Sequence, residues 1–217
     1  MGQEPEALSL GYLLNQGLIS SPDDVKAITV DWETNASAVV LNDNIEIRKD
    51  LLDEKIVTSG CGQGTMFGSL MEKIEKINLN TETTISKNEL YRLLQIIRSE
   101  QTVYKTSGAV HGCALLQRES IIYLIEDVGR HNAVDAIAGK MLMDGINGSD
   151  KYFYTTGRLT SEMVIKCAQM QIPILISRSG VTHMGWKIAD QVQLTIIARA
   201  TGKHFLLFTG ENRFSYD

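Results

Sequence analysis

The stretch from Ser120 to Lys140 constrains the fold most. An apolar run at Ile121, Ile122, Tyr123, Leu124 and Ile125 stops at Glu126 and Asp127 and turns through Val128-Gly129-Arg130-His131-Asn132. Apolar residues then resume at helical spacing with Ala133, Val134, Ile137 and Ala138. A short run of β-branched and aromatic residues without polar alternation is the pattern of a strand buried on both faces, so the stretch reads as central strand, tight turn, helix. The layout recurs twice. Lys151 to Thr156 is strand-like and gives way to Gly157-Arg158 before a helical Thr160 to Gln171; Ile172 to Ile176 is strand-like and passes through Ser177-Arg178-Ser179-Gly180 into a helical Val181 to Val192. The class is α/β. In open α/β sheets ligands collect beyond the carboxyl ends of the strands, where helix N-termini offer free N–H groups to anions. If the three strands are parallel neighbours, Arg130, Arg158 and Arg178 converge on one sheet edge, and guanidinium forks there suit the phosphates of a polyanion. The alternative is that each arginine pairs locally with Glu126, Asp127 or Glu162.

With 217 residues and 43% hydrophobic content, the chain reads as a single globular domain over 1–217. A net charge of −5 without a basic stripe argues against nucleic-acid or anionic-membrane binding. No apolar run approaches the roughly 18 residues of a membrane helix, and no charged-then-apolar leader opens the chain, so the expected location is the cytoplasm. Cys61, Cys113 and Cys167 form a set too sparse for a disulfide framework and unpaired for zinc, so no metal is expected on the protein itself.

Glu6 to Gln16 reads as a helix ended by Gly17, and Val25 to Glu33 with Ala38 to Ile47 as two antiparallel strands. The segment 48–69 holds Thr58-Ser59-Gly60-Cys61-Gly62-Gln63-Gly64-Thr65. Glycines and hydroxyls around one cysteine cannot build a core, so this is an exposed, mobile loop, and free N–H groups beside an exposed thiol stabilise its thiolate. Leu70 to Ile77 is helix-like. Ser86-Lys87-Asn88-Glu89 is a capping box that starts an amphipathic helix. Ser107 to Cys113 opens a strand continuing to Leu116; Cys113 and Cys167 read as buried, and the last two strands fall at Leu194–Ala198 and Phe205–Phe208.

The cysteine-bearing glycine loop, Gly108-Ala109-Val110-His111, Glu126-Asp127-Val128-Gly129-Arg130-His131-Asn132-Ala133-Val134-Asp135, Thr156-Gly157-Arg158-Leu159-Thr160-Ser161-Glu162 and the closing Arg213-Phe214 together resemble the FdhD family of formate dehydrogenase accessory sulfurtransferases. The resemblance implies a cytidine-deaminase-like α/β/α sandwich with a mixed sheet, in a homodimer. It also implies persulfide transfer from a cysteine desulfurase through Cys61 to the molybdenum cofactor, bis-molybdopterin guanine dinucleotide, for insertion into formate dehydrogenase, with GDP as a mimic of the cofactor's nucleotide end. Arg130, Arg158 and Arg178 then become anion contacts. Asn132 and Ser179 are further polar contacts, and Asp127 or Asp135 are candidates for orienting the arginines. His111 and His131 are candidates for proton handling, and equally for a core histidine and a surface residue at a helix start.

Two departures stand out. The family's loop commonly carries C-x-x-C, whereas Cys61-Gly62-Gln63-Gly64 ends in glycine, so a persulfide on Cys61 has no resolving thiol three residues on. The first helix is also expected to follow further strands that this chain lacks. Two other functions compete. A zinc hydrolase of a nucleobase needs an acid two residues after its first ligand and a later C-x-x-C, and His111-Gly112-Cys113 supplies neither. A cofactor-binding chaperone without sulfur chemistry is favoured by the missing second cysteine.

Overall fold

The computed structural model describes residues 3–42, 77–100 and 102–217. Helix α1 (Pro5–Gln16) ends at Gly17, whose φ of 72° is the left-handed conformation that glycine adopts without a Cβ penalty. Strands β1 (Val25–Asp31) and β2 (Ala36–Leu41) pair antiparallel as a separate hairpin. After β3 (Ile85–Ser86) comes α2 (Lys87–Ser99), whose first turn is capped by Ser86 Oγ accepting from Glu89 N. The expected capping box is half closed, because the Glu89 carboxylate accepts from the Tyr152 hydroxyl instead of reaching back. Next come a short helix α3 (Val103–Ser107), β4 (His111–Gln117), β5 (Ser120–Asp127), α4 (Arg130–Met143), β6 (Tyr152–Thr155), α5 (Ser161–Gln169), β7 (Ile174–Ser177), α6 (His183–Gln191), β8 (Thr195–Thr201), β9 (His204–Thr209) and β10 (Phe214–Ser215).

Six of these strands form one mixed sheet in the order β5-β4-β6-β7-β8-β9. Strands β6, β7 and β8 are parallel to one another, and β4 runs antiparallel to both β5 and β6. The apolar run of β5 therefore lies at the sheet edge, contrary to the central position its composition suggests, and only Ile125 in it is fully buried. Its exposure is tempered because α4 covers one face. Nor are the three arginine-bearing strands all neighbours: β4 separates β5 from β6.

Alternation along the strands sends two sets of side chains to opposite faces. Leu115, Phe153, Leu175 and Ile196 pack with α4, α5 and α6 through Ala133, Val134, Ile137, Met163, Cys167 and Ile188. Leu116, Tyr152, Tyr154, Ile174, Ile176 and Ile197 pack against Leu90, Leu93 and Leu94 of α2. Each of those three leucines contributes roughly 1.5–3 kcal/mol by leaving water. Helix α1 forms an outer layer on α4. A Cβ on Gly11 would stand 1.7 Å from the Asp135 carbonyl oxygen, and one on Gly139 would stand 1.8 Å from that of Ala7, so the two helices touch backbone to backbone.

The closing Arg213 is 1% exposed. It donates from Nε to Asn80 O and from a terminal nitrogen to Gln193 O, pinning the end of the chain beside β3. Its role is structural. The segment 48–69, with Cys61, and the helix expected over Leu70 to Ile77 lie outside the described residues, save for Ile77 itself.

Candidate functional site

The carboxyl ends of β5, β6 and β7 share one edge of the sheet, and β4 begins there with His111 opposite Asp127. Each turn at this edge is fixed by hydroxyl and carboxylate groups. After β5, Asp127 Oδ1 accepts from Gly129 N (2.8 Å) and from Asn132 Nδ2 (2.9 Å). After β6, Thr155 Oγ1 accepts from Gly157 N (3.0 Å), and Ser177 Oγ donates to Gly157 O (2.7 Å). Ser179 N donates to Ser177 Oγ and Ser179 Oγ donates to Thr156 O. Asn132 and Ser179 thus each help to hold a turn at this edge. Glu126 is also engaged, accepting from Val103 N and Tyr104 N at the start of α3. Among the described residues, the side chains of Arg130, Arg158 and Arg178 take part in no ion pair or hydrogen bond, so the local-pairing alternative is not what the structure adopts.

Arg130 lies across Gly157, where a Cβ would stand 2.8 Å from its Cδ. Any larger residue in that turn displaces the arginine, which explains the glycine there. Burial lowers the pKa of Arg130, and the nearby Arg158 charge lowers it further, with Glu162 acting in the opposite sense. His111 is held below its ordinary range first by burial and then by Arg130, His131 and Arg158. Arg130, Arg158 and His111 therefore lie close together on the α4–α5 side of the edge. Arg130 Nε is buried without a hydrogen-bond partner, and so is Thr160 Oγ1 at the uncapped start of α5. Helix α4 likewise starts with no side-chain cap, which leaves its first N–H groups directed at the edge. Unpaired buried donors cost about 1–3 kcal/mol each, a cost that an anion accepting from them relieves.

Arg178 stands apart. It extends β7 by one residue, its N–H donating to Thr155 O, and alternation from Ile174 and Ile176 sends it to the α2 face while Ser177 faces the helices. There its guanidinium sits 5.5 Å from the Tyr104 ring centre, in a groove of about 430 Å³ lined by Arg98, Tyr104, Lys105, Glu126, Tyr154 and Arg178. The three arginines accordingly divide two and one across the sheet edge. The strand period carried that signal; the contribution of α3 did not show, since Tyr104 and Lys105 lie in a five-residue helix too short for a periodic pattern.

Among the described residues, neither Asp127 nor Asp135 forms an ion pair or hydrogen bond with an arginine. Asp135, 3% exposed, accepts from Asn15 Nδ2 (2.6 Å) and Lys166 Nζ (2.9 Å). Lys166 is also 3.3 Å from Glu162, and Glu162 is 3.2 Å from His131 Nδ1. Burial alone would raise the Glu162 carboxyl, but His131 and Lys166 outweigh it and hold it down at about 2. The i, i+4 spacing of Glu162 and Lys166 is a visible signal for this string. Burial pushes the Cys113 thiol up to about 12 and raises that of Cys167 well above its usual value, so both are inert core groups.

The model of the FdhD/NarQ family matches residues 1–215. Among curated relatives, the sulfur carrier protein FdhD of Saccharolobus solfataricus is 34% identical over 214 residues, covering 97% of this chain and 79% of the relative. That of Bacillus pumilus is 28% identical over 214 residues, covering 96% and 79%, and that of Wolinella succinogenes is 28% identical over 210 residues, covering 97% and 73%. A crystal structure from Desulfotalea psychrophila, described as a formate dehydrogenase accessory protein, superposes with a TM-score of 0.75 at 25% identity, covering 98% of this chain and 80% of that one.

Proposed function

The chain belongs to the FdhD/NarQ family, and from that premise we propose that it is a sulfur carrier for formate dehydrogenase maturation, with Cys61 as the thiol that bears the sulfur. The source is the persulfide of a cysteine desulfurase. The Cys61 thiolate attacks its outer sulfur, the desulfurase S–S bond breaks, and the desulfurase thiolate leaves, so that the persulfide now resides on Cys61. The recipient is the molybdenum cofactor, held as cargo. Its pyrophosphate groups suit Arg130, Arg158 and the open first turn of α4, while a guanine nucleotide end suits the aromatic and basic groove of Tyr104, Tyr154, Arg98, Lys105 and Arg178. We assign the layered fold to the cytidine-deaminase-like class. The working unit in this reading is a homodimer in the cytoplasm, where thiols stay reduced.

The observation that carries this reading is the pair of arginines at the sheet edge whose side chains have no hydrogen-bond or ion-pair partner among the described residues, one of them with a buried Nε unsatisfied. The test is mass spectrometry of the protein after incubation with a cysteine desulfurase and cysteine. The expected product is one added sulfur atom on Cys61, removed by reductant and absent from Cys61→Ser. A second reading, a cofactor-binding chaperone without sulfur chemistry, is favoured by Gly64 standing where the family's second loop cysteine is expected. GDP binding without any Cys61 persulfide would select it.

A further inference from the structure

Helix α3 supplies Tyr104 and Lys105 to the groove on the α2 face, yet none of its five residues is buried. A helix this short does not hold its shape alone, because closing the first turn fixes three residues for one hydrogen bond. Its place has to be set from outside. The group that sets it is Glu126 on β5. Tyr123 and Ile125 pack with the helices and Leu124 with α2, so alternation sends Glu126 to the α2 face, where it lines the groove. One of its carboxylate oxygens accepts from Val103 N (2.7 Å) and the other from Tyr104 N (2.8 Å). Thr102 Oγ1 accepts from Lys105 N (3.3 Å), so the first three N–H groups of α3 are all taken. At the far end Gly108, with a φ of 65°, donates from its N–H to Tyr104 O (3.0 Å).

A carboxylate that accepts from two successive N–H groups fixes both the position and the direction of a helix start, and its charge suits the positive end of the helix. Among the described residues Glu126 forms no ion pair with Arg98, Lys105 or Arg178, although all four line the same groove. Its negative charge is directed at the backbone of α3 instead. We propose that Glu126 is a positioning residue for the groove: it docks α3 on the sheet edge and thereby sets the Tyr104 ring against the Arg178 guanidinium, 5.5 Å away, as a wall for a nucleotide base. Affinity for the nucleotide then scales with the fraction of molecules in which α3 is docked. A phosphate held at Arg130 and Arg158, on the α4–α5 side, does not sense that fraction.

This inference rests on the groove's proposed role as the seat of a nucleotide base, and a set of variants separates the two. GDP is the probe and inorganic pyrophosphate the comparison, with calorimetry on the full chain reading both affinities. Glu126→Gln keeps one acceptor oxygen and turns an NH2 toward the other N–H, so GDP binding should weaken by about tenfold, with pyrophosphate within about twofold of wild type. Glu126→Asp, with the charge on a shorter arm, should recover part of the loss. Tyr104→Ala should also cost about tenfold in GDP affinity. Glu126→Gln should add little in that background, whereas a merely structural role would add its own full loss. Should Glu126→Gln fail to fold, Thr102→Ala, which frees the Lys105 N–H without touching the sheet, must show the same GDP-selective loss. GDP affinity lost in Tyr104→Ala but unchanged in Glu126→Gln overturns the role of Glu126 and leaves the groove standing. Wild type that binds no GDP, or Tyr104→Ala and Arg178→Ala that both bind it as wild type does, overturns both.

Discussion

Replacing Gly139 by alanine sets two effects against each other whose magnitudes differ enough to decide the outcome. Within an isolated helix the change is favourable, by about 1 kcal/mol. In this protein the new Cβ would stand 1.8 Å from the Ala7 carbonyl oxygen and 2.9 Å from Ala7 Cα, where ordinary contact needs roughly 3.5 Å. Helix α1 must move outward by well over an ångström. Overpacking of this kind costs about 1–3 kcal/mol. The retreat also exposes part of Ala7 and Leu10, now 2% and 5% exposed, and strains the hydrogen bond from Asn15 to Asp135. A fully buried leucine is worth about 1.5–3 kcal/mol, so the net expectation is a loss of about 2–4 kcal/mol. Urea unfolding followed by circular dichroism reads this directly as a lower midpoint at constant slope. Gly11→Ala, whose Cβ would stand 1.7 Å from the Asp135 carbonyl oxygen, should cost a similar amount, and the double variant less than the sum, because one displacement relieves both clashes. A Gly139→Ala protein more stable than wild type would mean that propensity prevails and that the two backbones do not meet.

Other expectations concern charge. Arg130→Ala or Arg158→Ala should weaken GDP binding by about 1.5–3 kcal/mol, the worth of a hydrogen bond to a charged group; calorimetry showing wild-type affinity in both would remove these arginines from the site. Glu162 contributes stability that is complete above its unfolded pKa of about 4.3 and is lost as pH falls toward its folded value of about 2. Because the folded value is the lower one, the loss lies on the acid side and amounts to about 2–3 kcal/mol. Glu162→Gln should therefore flatten the acid limb of a plot of unfolding free energy against pH over that interval.

Much of the architecture was legible along the chain. The helix ended by Gly17, the described part of the hairpin β1–β2, the strand–turn–helix units and the last two strands all fall where periodicity and turn residues put them, while residues 43–47 of the second hairpin strand lie outside the described residues. What a linear pattern does not encode is which strand neighbours which. The run from Ile121 to Ile125 has the composition of a central strand, yet among the described residues it sits at the edge, with β4 paired on its inner side and no described strand on the outer. The site shows the same division. Arg130 and Arg158 share a field as expected, whereas Arg178 joins Tyr104 on the opposite face. Counting by twos from Ile174 was enough to separate it. Asp127 and Asp135, read as partners for arginines, found nearer donors in Gly129, Asn132, Asn15 and Lys166. Arg213, carried in the resemblance as part of a motif, proved to be a buried clamp on two carbonyls.

The reversed strand β4 has a consequence for the spacing of the turns at this edge. By lying between β5 and β6 it sets their tips two ladder spacings apart, about 9–10 Å, and plants His111 in the gap. The strand works as a spacer: the turns that carry Arg130 and Arg158 spring from strands that are not neighbours, yet the two arginines still lie near enough for the charge of Arg158 to act on Arg130.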